Sequence, residues 1–283
     1  MKNILDQISN NYQKLTPSQQ KIANYLYNNI NEALLLNSFQ IARMTNVSEA
    51  TVTRFVSNLG FSGFSEFKKE IARRALKDFS TTKRLAESAE NLEGRDNIFS
   101  GILNGDIENI RTLTANISDR LFEEAVNLLC SAGSIYILGL RSSYALAFYL
   151  AFDLRFFLNR VILIKPGIGD IPEQVLGARE DDALVVISFR RYTRESFTIA
   201  QRIKKKGVSV IAITNSELSP IAELADVTLV ASTNIPTYIE SYTAPMSLIN
   251  ALITTIAIRK KDRAMSALNT LEISFEEFQT YIS

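Results

Sequence analysis

The chain of 283 residues contains no histidine and no tryptophan, and its only cysteine is Cys130. The lack of histidine excludes imidazole acid–base catalysis, histidine-based catalytic triads and histidine-ligated zinc sites. A single cysteine cannot form a disulfide within the chain, which favours a reducing, cytoplasmic location. We expect no cofactor and no bound metal.

Long apolar runs are also scarce. The longest uncharged stretch that could suggest a membrane, residues 241–258, is interrupted by serine, threonine, asparagine and proline. A membrane-spanning helix normally needs about 20 mainly apolar residues. We therefore predict a helix buried in a core or a subunit interface. The first residues contain no apolar signal core, so we expect neither export nor a membrane partner.

The composition is that of an ordinary globular chain, with 46% hydrophobic and 22% charged residues. Its length allows two domains at roughly 150 residues each. The first 80 residues contain ten Lys and Arg against six Asp and Glu, a net charge of +4 in a chain whose overall charge is +1. A polar stretch without regular periodicity follows. We predict a basic N-terminal domain at 1–77, whose function the motifs below address, a linker at 78–97 and a second domain at 98–283.

The stretch from 38 to 59 has the pattern of a helix-turn-helix. Ser38 begins one helix and Ser48 caps the next, and Asn46 lies in the turn, where a positive φ is often needed. Gly60 is suited to end the second helix. The apolar residues of that second helix recur at i, i+3, i+4 and i+7, as Val52, Phe55, Val56 and Leu59.

Small and polar residues lie off that apolar stripe, as on a recognition helix that contacts base edges. The following helix offers lysines for DNA phosphates, which position a protein without specifying sequence. The solvated face of a small helical bundle would give a similar pattern, so the residues alone leave both interpretations open. The residues predicted to contact DNA are Ser48, Glu49, Ala50, Thr51, Thr53, Arg54, Lys68 and Lys69.

The second part changes to short β-rich runs, SIYILGL, RVILIK, ALVVISF, VSVIAIT and DVTLVA, after helical stretches near 98–115 and 119–131. The runs are almost continuously apolar, which is typical of strands covered on both faces. Strands that alternate with helices predict an α/β fold with a doubly wound, parallel, five-stranded sheet, behind an all-α N-terminal domain. Ligands of such sheets bind at the carboxyl ends of the strands, near the switch point.

Two strand-to-helix junctions carry the residues that could bind an anion, because helix N-termini attract negative charge. The first is not a dinucleotide fingerprint, since Arg141 and Tyr144 stand where glycines would be needed. Gly139 could instead serve close packing, Ser142 could be a simple cap, and the arginines could be solvated. Glu240 is either a hydroxyl acceptor or a helix cap. The predicted ligand-binding residues are Gly139, Ser142, Ser143, Ser188, Arg190, Arg191, Thr193 and Glu240.

Residues 1–77 resemble the N-terminal domain of RpiR-type (MurR/RpiR) transcriptional regulators. The resemblance implies that this part of the chain binds an operator in double-stranded DNA. The matching positions are Ile41–Ala42, Val47–Ser48, Ala50–Thr51–Val52, Arg54–Phe55, Leu59–Gly60–Phe61 and Phe67–Lys68.

Residues 120–255 resemble the sugar isomerase (SIS) domain that follows in these regulators. In that domain a G-x-[GS]-x-S turn and an S-x-S-G-x-T turn hold a phosphosugar. Gly139, Ser142 and Ser143 fall on the first turn, and Ser188 and Thr193 on the second. Arg141 replaces a small residue, and Arg190–Arg191 replace a Ser-Gly pair. The site is therefore either rebuilt around guanidinium groups, which bind phosphate well, or selects another small anion.

The resemblance implies a transcriptional regulator whose SIS domain senses a phosphosugar or related anion and controls carbohydrate-metabolism genes. Such a protein would be a homo-oligomer, a dimer or tetramer, whose recognition helices meet half-sites about 34 Å apart. SIS domains also occur in aldose–ketose isomerases, which is the alternative. Without histidine, that chemistry would need Glu195 or Glu240 as the base and would leave the helix-turn-helix unexplained. We therefore expect no enzymatic activity.

Overall fold

The computed structural model describes residues 12–28, 33, 36–78, 81–92, 97–165, 167, 171–217, 219–235 and 237–281. The chain divides into two compact units, Met1–Asn91 and Leu92–Ser283.

The described part of the first unit is helical. A short 3-10 turn, Tyr12–Lys14, precedes helix α1 (Pro17–Asn28). The N-terminus of α1 forms a capping box, because the Thr16 N–H donates to Gln19 Oε1 at 3.2 Å and the Gln19 N–H donates to Thr16 Oγ1 at 3.4 Å. The helices that follow are α2 (Ser38–Thr45), α3 (Glu49–Asn58), α4 (Phe64–Asp78) and α5 (Thr81–Leu92).

The turn between α2 and α3 has the geometry that the sequence predicts. Asn46 adopts the left-handed conformation, with φ 53°, and the Val47 N–H donates to the Ala42 carbonyl at 2.9 Å. Gly60 follows α3 at φ 90°, which an L-residue with a side chain rarely adopts. The apolar stripe is buried as expected, at Ile41, Ala42, Val52, Phe55, Val56 and Leu59.

Helix α5 lies inside the stretch that the sequence predicts to be a linker without periodicity. Its sequence, TTKRLAESAENL, is polar but consists largely of good helix formers. Ser88 is buried and donates to the Arg84 carbonyl at 2.6 Å, as a helical serine can. The polarity of this stretch therefore reflects an exposed helix, and the two compact units divide at its C-terminal end.

The second unit begins with α6 (Ile98–Asn116) and α7 (Asp119–Ser131). Strands and helices then alternate along the described residues. In chain order they are β1 (Ile135–Gly139), α8 (Ser143–Phe157), β2 (Val161–Leu163), α9 (Ile171–Gln174), β3 (Ala183–Ile187), α10 (Arg194–Lys204), β4 (Ser209–Thr214), a 3-10 turn (Ala222–Leu224), β5 (Val227–Val230), α11 (Thr243–Arg259) and α12 (Lys261–Glu277).

The predicted doubly wound, parallel, five-stranded sheet is confirmed for the described residues, with the strand order β2-β1-β3-β4-β5. Alternate side chains of each strand enter two different cores. Ile137, Val185 and Ile211 face the core formed with α7, α8 and α11. Leu138, Val186 and Val210 face the core formed with α10. Burial on both faces explains why these strands read as unbroken apolar runs.

Helix α11 accounts for the uncharged stretch at 241–258. Its residues Leu248, Ile249, Leu252 and Ile256 are buried in the core shared with α8. The prediction of a buried helix is confirmed. Over the parts of the chain that the structure describes, every helix falls short of the length and apolarity needed to cross a bilayer.

Candidate functional site

The N-terminus of α3 is fixed by side chains that the sequence analysis assigned to DNA contact. Ser48 Oγ accepts the Thr51 N–H at 3.2 Å and lies 2.8 Å from Thr51 Oγ1. The Thr53 hydroxyl donates to the Glu49 carbonyl at 3.2 Å, and the Glu49 carboxylate accepts from Ser38 Oγ. Two of these four side-chain groups, the Ser48 and Thr53 hydroxyls, therefore bond to the backbone, and the other two bond to side chains.

The outer face of α3 presents short side chains and one cation. Ala50, Thr53 and Arg54 are exposed, whereas Thr51 is half-buried. Arg54 makes no hydrogen bond or ion pair with any described residue. A guanidinium without a described partner, on a capped helix with short neighbouring side chains, is available to contact a base edge.

An aromatic cluster packs the first turn of helix α4 against the segment that follows α3. Phe67 is buried, and its ring centroid lies 5.4 Å from that of Phe61 and 6.0 Å from that of Phe64. This packing fixes the neighbouring Lys69, which is exposed, and Lys68, which is half-buried. The two lysines thus extend a rigid helix beside α3, where they can reach a phosphate backbone.

The two junctions that the sequence predicts to bind an anion lie side by side. β1 and β3 are hydrogen-bonded neighbours, and Gly139 is paired with Ile187 at their carboxyl ends. The strand order is β2-β1-β3-β4-β5, so the chain runs from β1 to one side of the sheet and from β3 to the other. The carboxyl ends of β1 and β3 are therefore the switch point of the sheet. Below, "this edge" means the side of the sheet where the strands have their carboxyl ends. The turn after β1 and the turn after β3 therefore open at one place.

The residues of the first turn, after β1, differ in backbone conformation, burial and hydrogen bonding. Arg141 adopts a left-handed conformation, with φ 56°. Ser142 stands at the N-cap position of α8 without making a capping hydrogen bond; its Oγ instead lies 2.8 Å from the Tyr242 hydroxyl oxygen. Ser143 is buried, and its hydroxyl has no partner among the described residues. The simple cap considered for Ser142 is therefore not seen.

In the second turn, Ser188 is buried and its N–H donates to the Ile213 carbonyl at 3.1 Å. The Ser188 hydroxyl, like that of Ser143, has no partner in the described part of the chain. Arg191 has φ 65°, a second left-handed arginine. For an L-residue this conformation costs about 1–2 kcal/mol relative to the right-handed one. Thr193 caps α10, because its Oγ1 accepts the Ser196 N–H at 3.2 Å.

Tyr192 brings a third strand end into the site. Its hydroxyl donates to Asn215 Oδ1 at 2.9 Å, just after β4. Burial raises the pKa of the Tyr192 phenol, and the negative charge of Glu240 raises it further. The Thr214 hydroxyl and the positive charge of Arg190 lower this pKa and so offset part of the increase. The Thr214 hydroxyl is fully buried and has no hydrogen-bond partner of standard geometry. Arg190 and Glu240 therefore both lie within electrostatic reach of Tyr192.

Glu240 is placed by the segment between β5 and α11. One of its carboxylate oxygens accepts from Thr233 Oγ1 at 2.5 Å. Tyr242, not Glu240, stands at the N-cap of α11, so the capping alternative for Glu240 is not seen. The predicted residues at the ends of β1 and β3 and before α11 are thus brought to the same edge of the sheet.

Helix α6 fastens that segment from outside the sheet. Asn109 is buried; its Nδ2 donates to the Asn234 carbonyl at 2.8 Å, and its Oδ1 accepts from Ser232 Oγ at 2.6 Å. Asp106 accepts hydrogen bonds from Ser241 Oγ and, at 3.0 Å, from Thr243 Oγ1. These contacts surround Glu240 on both sides in the sequence.

Sequence reasoning missed Tyr192, Thr214, Asn215, Thr233 and Tyr242 as members of this edge. Their common signal is position: three of them lie where a strand of the parallel sheet ends or just beyond it. Groups of three or more acidic or cysteine side chains that could hold a metal ion do not occur among the residues that the structure describes. The side chains available to a ligand at this edge therefore carry hydroxyl, guanidinium or carboxylate groups.

Gly139 is required for close approach of α8 to β1. A Cβ at this position would lie 2.6 Å from the Ser143 carbonyl oxygen and 2.8 Å from Ala147 Cβ. We expect Gly139→Ala to lower the free energy of unfolding by about 1–3 kcal/mol, because the added methyl group meets backbone that cannot move cheaply. Urea unfolding followed by circular dichroism measures this.

The control for that substitution is Gly177→Ala, since its added Cβ would have only the Tyr136 hydroxyl as a neighbour, at 3.9 Å. A small effect, within about 1 kcal/mol, is expected there. Equal stability of the Gly139→Ala and wild-type chains would mean that the close packing at the end of β1 is not a constraint.

Two protein-family models match the chain. One is the helix-turn-helix domain of the rpiR family, at residues 2–77, and the other is the SIS domain, at residues 128–255. The chain is similar to the HTH-type transcriptional regulator HexR of Pseudomonas aeruginosa, at 26% identity over 270 residues that cover 92% of this chain and 91% of HexR. The match therefore extends through both units.

Two solved structures have the same architecture. The sugar isomerase domain of an RpiR transcription factor from Sphaerobacter thermophilus matches with a TM-score of 0.59 at 26% identity, covering 62% of this chain and 98% of that domain. The Vibrio vulnificus NanR protein, complexed with ManNAc-6P, matches with a TM-score of 0.65 at 18% identity, covering 97% of this chain and 98% of NanR. The second likeness shows that the folds agree.

Proposed function

Because the chain belongs to the RpiR-type helix-turn-helix transcriptional regulators that carry a SIS domain, we propose that α3 reads an operator under the control of an anionic metabolite. That metabolite, a phosphosugar or a related anion, binds where β1 and β3 end. The regulated genes are those of carbohydrate metabolism. We place the DNA-binding domain at 1–77, the connecting segment at 78–97 and the sensor at 98–283.

The observation that carries this proposal is the pairing of Gly139 with Ile187. It brings together the turns that lead into α8 and α10, and this supports a site where the two helix dipoles favour one negative group. The hydroxyls of Ser143 and Ser188, which bond to no other residue that the structure describes, can donate hydrogen bonds to phosphate oxygens. Glu240, already bound to Thr233, can accept a sugar hydroxyl. The ligand that fits such a site has a phosphate at one end and hydroxyl groups at the other, as a phosphosugar does.

The proposed oligomer is formed through the sensor. Helices α8 and α12 pack against each other. Both helices leave large apolar side chains exposed, namely Phe148, Tyr149, Phe152, Met265, Leu268 and Ile273. Exposed aromatic and aliphatic side chains on adjacent helices are typical of a subunit interface. A second copy on this surface would pair two α3 helices for half-sites about 34 Å apart or a multiple of that distance.

Regulation then follows from linkage between the two sites. An effector that binds one arrangement of the dimer more tightly than the other shifts the dimer towards it, and the operator affinity changes by the same factor. We propose this sensing role in the cytoplasm instead of catalysis, because nothing at the edge supplies a histidine to open a sugar ring. Glu240 in this proposal binds and does not abstract a proton.

The test is an electrophoretic mobility shift with DNA from upstream of the chain's own gene, with and without a set of hexose, pentose and N-acetylhexosamine phosphates. We expect a shifted complex whose affinity changes about 5- to 150-fold with an active sugar phosphate. Light scattering on the same sample should report a dimer or a tetramer. A chain that ignores these fragments with or without sugar phosphates, or that converts a sugar phosphate into its isomer, would contradict the proposal.

The matched variants for that assay are Ser188→Ala and Ser209→Ala. Ser188 lies just beyond the carboxyl end of β3, whereas Ser209 begins β4 at the opposite, amino edge of the sheet. The first substitution should remove the response to the sugar phosphate and the second should leave it. Thr193→Ala is a poorer choice, because removing the α10 cap costs about 1 kcal/mol of stability by itself.

A further inference from the structure

Helix α12 has a line of four exposed residues with a cation at one end and a carboxylate at the other. Lys261, Met265, Leu268 and Glu272 follow one another at steps of four, three and four residues, which places them on one face of the helix. All four side chains are exposed, Met265 by 51% and Leu268 by 40%. These four residues form the α12 stripe, an apolar centre between two charges.

The two charges of the α12 stripe are not used within the described part of the chain. Lys261 and Glu272 make no hydrogen bond or ion pair with any residue that the structure describes. Arg263, by contrast, lies on another side of α12, and its guanidinium donates to the Leu158 carbonyl at 3.0 Å. Arg263 therefore holds α12 against the end of α8, whereas Lys261 and Glu272 are available to a partner.

The charges of α12 also oppose its dipole. A helix is positive at its N-terminus and negative at its C-terminus, so carboxylates are favourable in the first turn and cations in the last. In α12, Lys261 and Arg263 outnumber Asp262 in the first turn, and the last turn has no basic residue and ends with Glu276 and Glu277. An antiparallel helix beside α12 would relieve this mismatch, because each C-terminus would approach an N-terminus.

The α12 stripe is complementary to itself when two copies run antiparallel. The pair Lys261 and Glu272 and the pair Met265 and Leu268 have the same midpoint along the helix. A two-fold axis through that midpoint sets Lys261 opposite the partner's Glu272 and Met265 opposite the partner's Leu268, and each contact occurs twice. A parallel pair in register would instead oppose Lys261 to the partner's Lys261.

We propose that two copies of the chain pair through antiparallel α12 helices, with Lys261 forming an ion pair with the partner's Glu272 and Met265 packing on the partner's Leu268. This inference rests on the proposed oligomer and gives it an orientation and a register. The stripe belongs to the surface already proposed as the subunit interface, since α8 packs against α12 and leaves Phe152 exposed. Lys261 and Glu272 are then the residues that select this pairing.

Charge reversal in the full chain tests this register. Lys261→Glu or Glu272→Lys places like charges opposite each other, and each should weaken self-association about tenfold or more in sedimentation equilibrium at low salt. The double variant restores opposite charges and should return the dissociation constant to within about threefold of the wild-type value. Because both side chains are exposed, raising the salt concentration to about 0.5 M should reduce the defect of each single variant.

The matched control is Lys205→Glu. It makes the same change of charge at an exposed position at the end of α10 and should leave self-association unchanged. The far-UV circular dichroism of every variant should equal that of the wild-type chain, because all the substituted side chains are exposed.

Cross-linking distinguishes the two orientations. Cys130 is the only cysteine, so a Cys130→Ser background has none. In that background, equilibrated Lys261→Cys and Glu272→Cys chains should be joined by a short bis-maleimide, because the antiparallel register brings the two positions together. Either chain alone should give little product, since its two thiols would lie about 16 Å apart along the helix, at about 1.5 Å per residue.

The results separate the register from the oligomer itself. A dimer that the single reversals leave unchanged, or that the double variant fails to restore, overturns the pairing of Lys261 with Glu272 but leaves the proposed oligomer intact. Cross-linking of the Lys261→Cys chain with itself in preference to the mixture overturns the antiparallel orientation. A wild-type chain that is monomeric at every concentration tested overturns the oligomer and the register together.

Discussion

Operator binding should weaken about a hundredfold when the salt concentration is raised from 50 to 200 mM. In the proposed dimer, one phosphate contact from each copy of Lys68 and Lys69 on α4 would give four contacts. Each neutralised phosphate releases counterions and adds about −0.9 to the slope of log affinity against log salt. A slope of about −3.6 over a fourfold change in salt gives about two orders of magnitude. Fluorescence anisotropy with a labelled operator duplex measures it.

The matched variants for the salt experiment are Lys69→Gln and Lys205→Gln. Lys69 lies on α4, and Lys205 is equally exposed but lies at the end of α10 in the sensor. The first should make the slope shallower by about two in a dimer, and the second should leave it unchanged. A flat salt response of the wild-type chain would exclude α4 as a surface that contacts the phosphate backbone.

Replacing Arg54 by alanine should cost about 1–3 kcal/mol of operator affinity per recognition helix, or roughly 5- to 150-fold. Arg54 is exposed on α3 and has no described partner, so its guanidinium is available to a base edge. For the same reason the thermal stability of the free variant should equal that of the wild-type chain. Competition binding between the operator and scrambled duplexes measures the sequence-specific part of the loss.

Two results of the Arg54 experiment have different meanings. A loss confined to the operator, with unchanged binding to scrambled DNA, assigns Arg54 to a base. An equal loss on all duplexes reassigns it to the phosphate backbone, where Lys69→Gln provides the comparison. No loss on any duplex would argue that α3 does not enter the groove at this position.

The elements of this fold could be predicted because their signals are local. Strands that are covered on both faces of a sheet, such as β3 and β4, have unbroken apolar sequences. Each of the five strands could therefore be recognised from its own residues. Caps such as Thr16 and Ser48 act on residues three positions away, so their role can be read from neighbours alone. The linker prediction failed to anticipate α5 because an exposed helix needs only a short apolar stripe.

The site could be predicted only in part, because much of it depends on contacts between distant residues. The positions of the two turns followed from the strand ends, but the partner of Ser142 is Tyr242, a hundred residues later in the chain. The segment that contains Glu240 is likewise held by tertiary hydrogen bonds, to Asp106 and Asn109. No local pattern distinguishes a helical Asp or Asn that bonds a distant loop from one that faces water.

The bonds from α6 to the segment after β5 also define how much polypeptide the sensor needs. The SIS match covers residues 128–255 and so leaves out Asp106 and Asn109 at one end and Arg259 at the other, whose guanidinium bonds Glu123 and Asn127 at 2.6 Å each. A fragment cut to those limits would lose the buried Ala125 and Val126 from its core and would leave Ser232 and Ser241 without their acceptors on α6. The autonomous folding unit is accordingly longer than its recognisable motif at both termini.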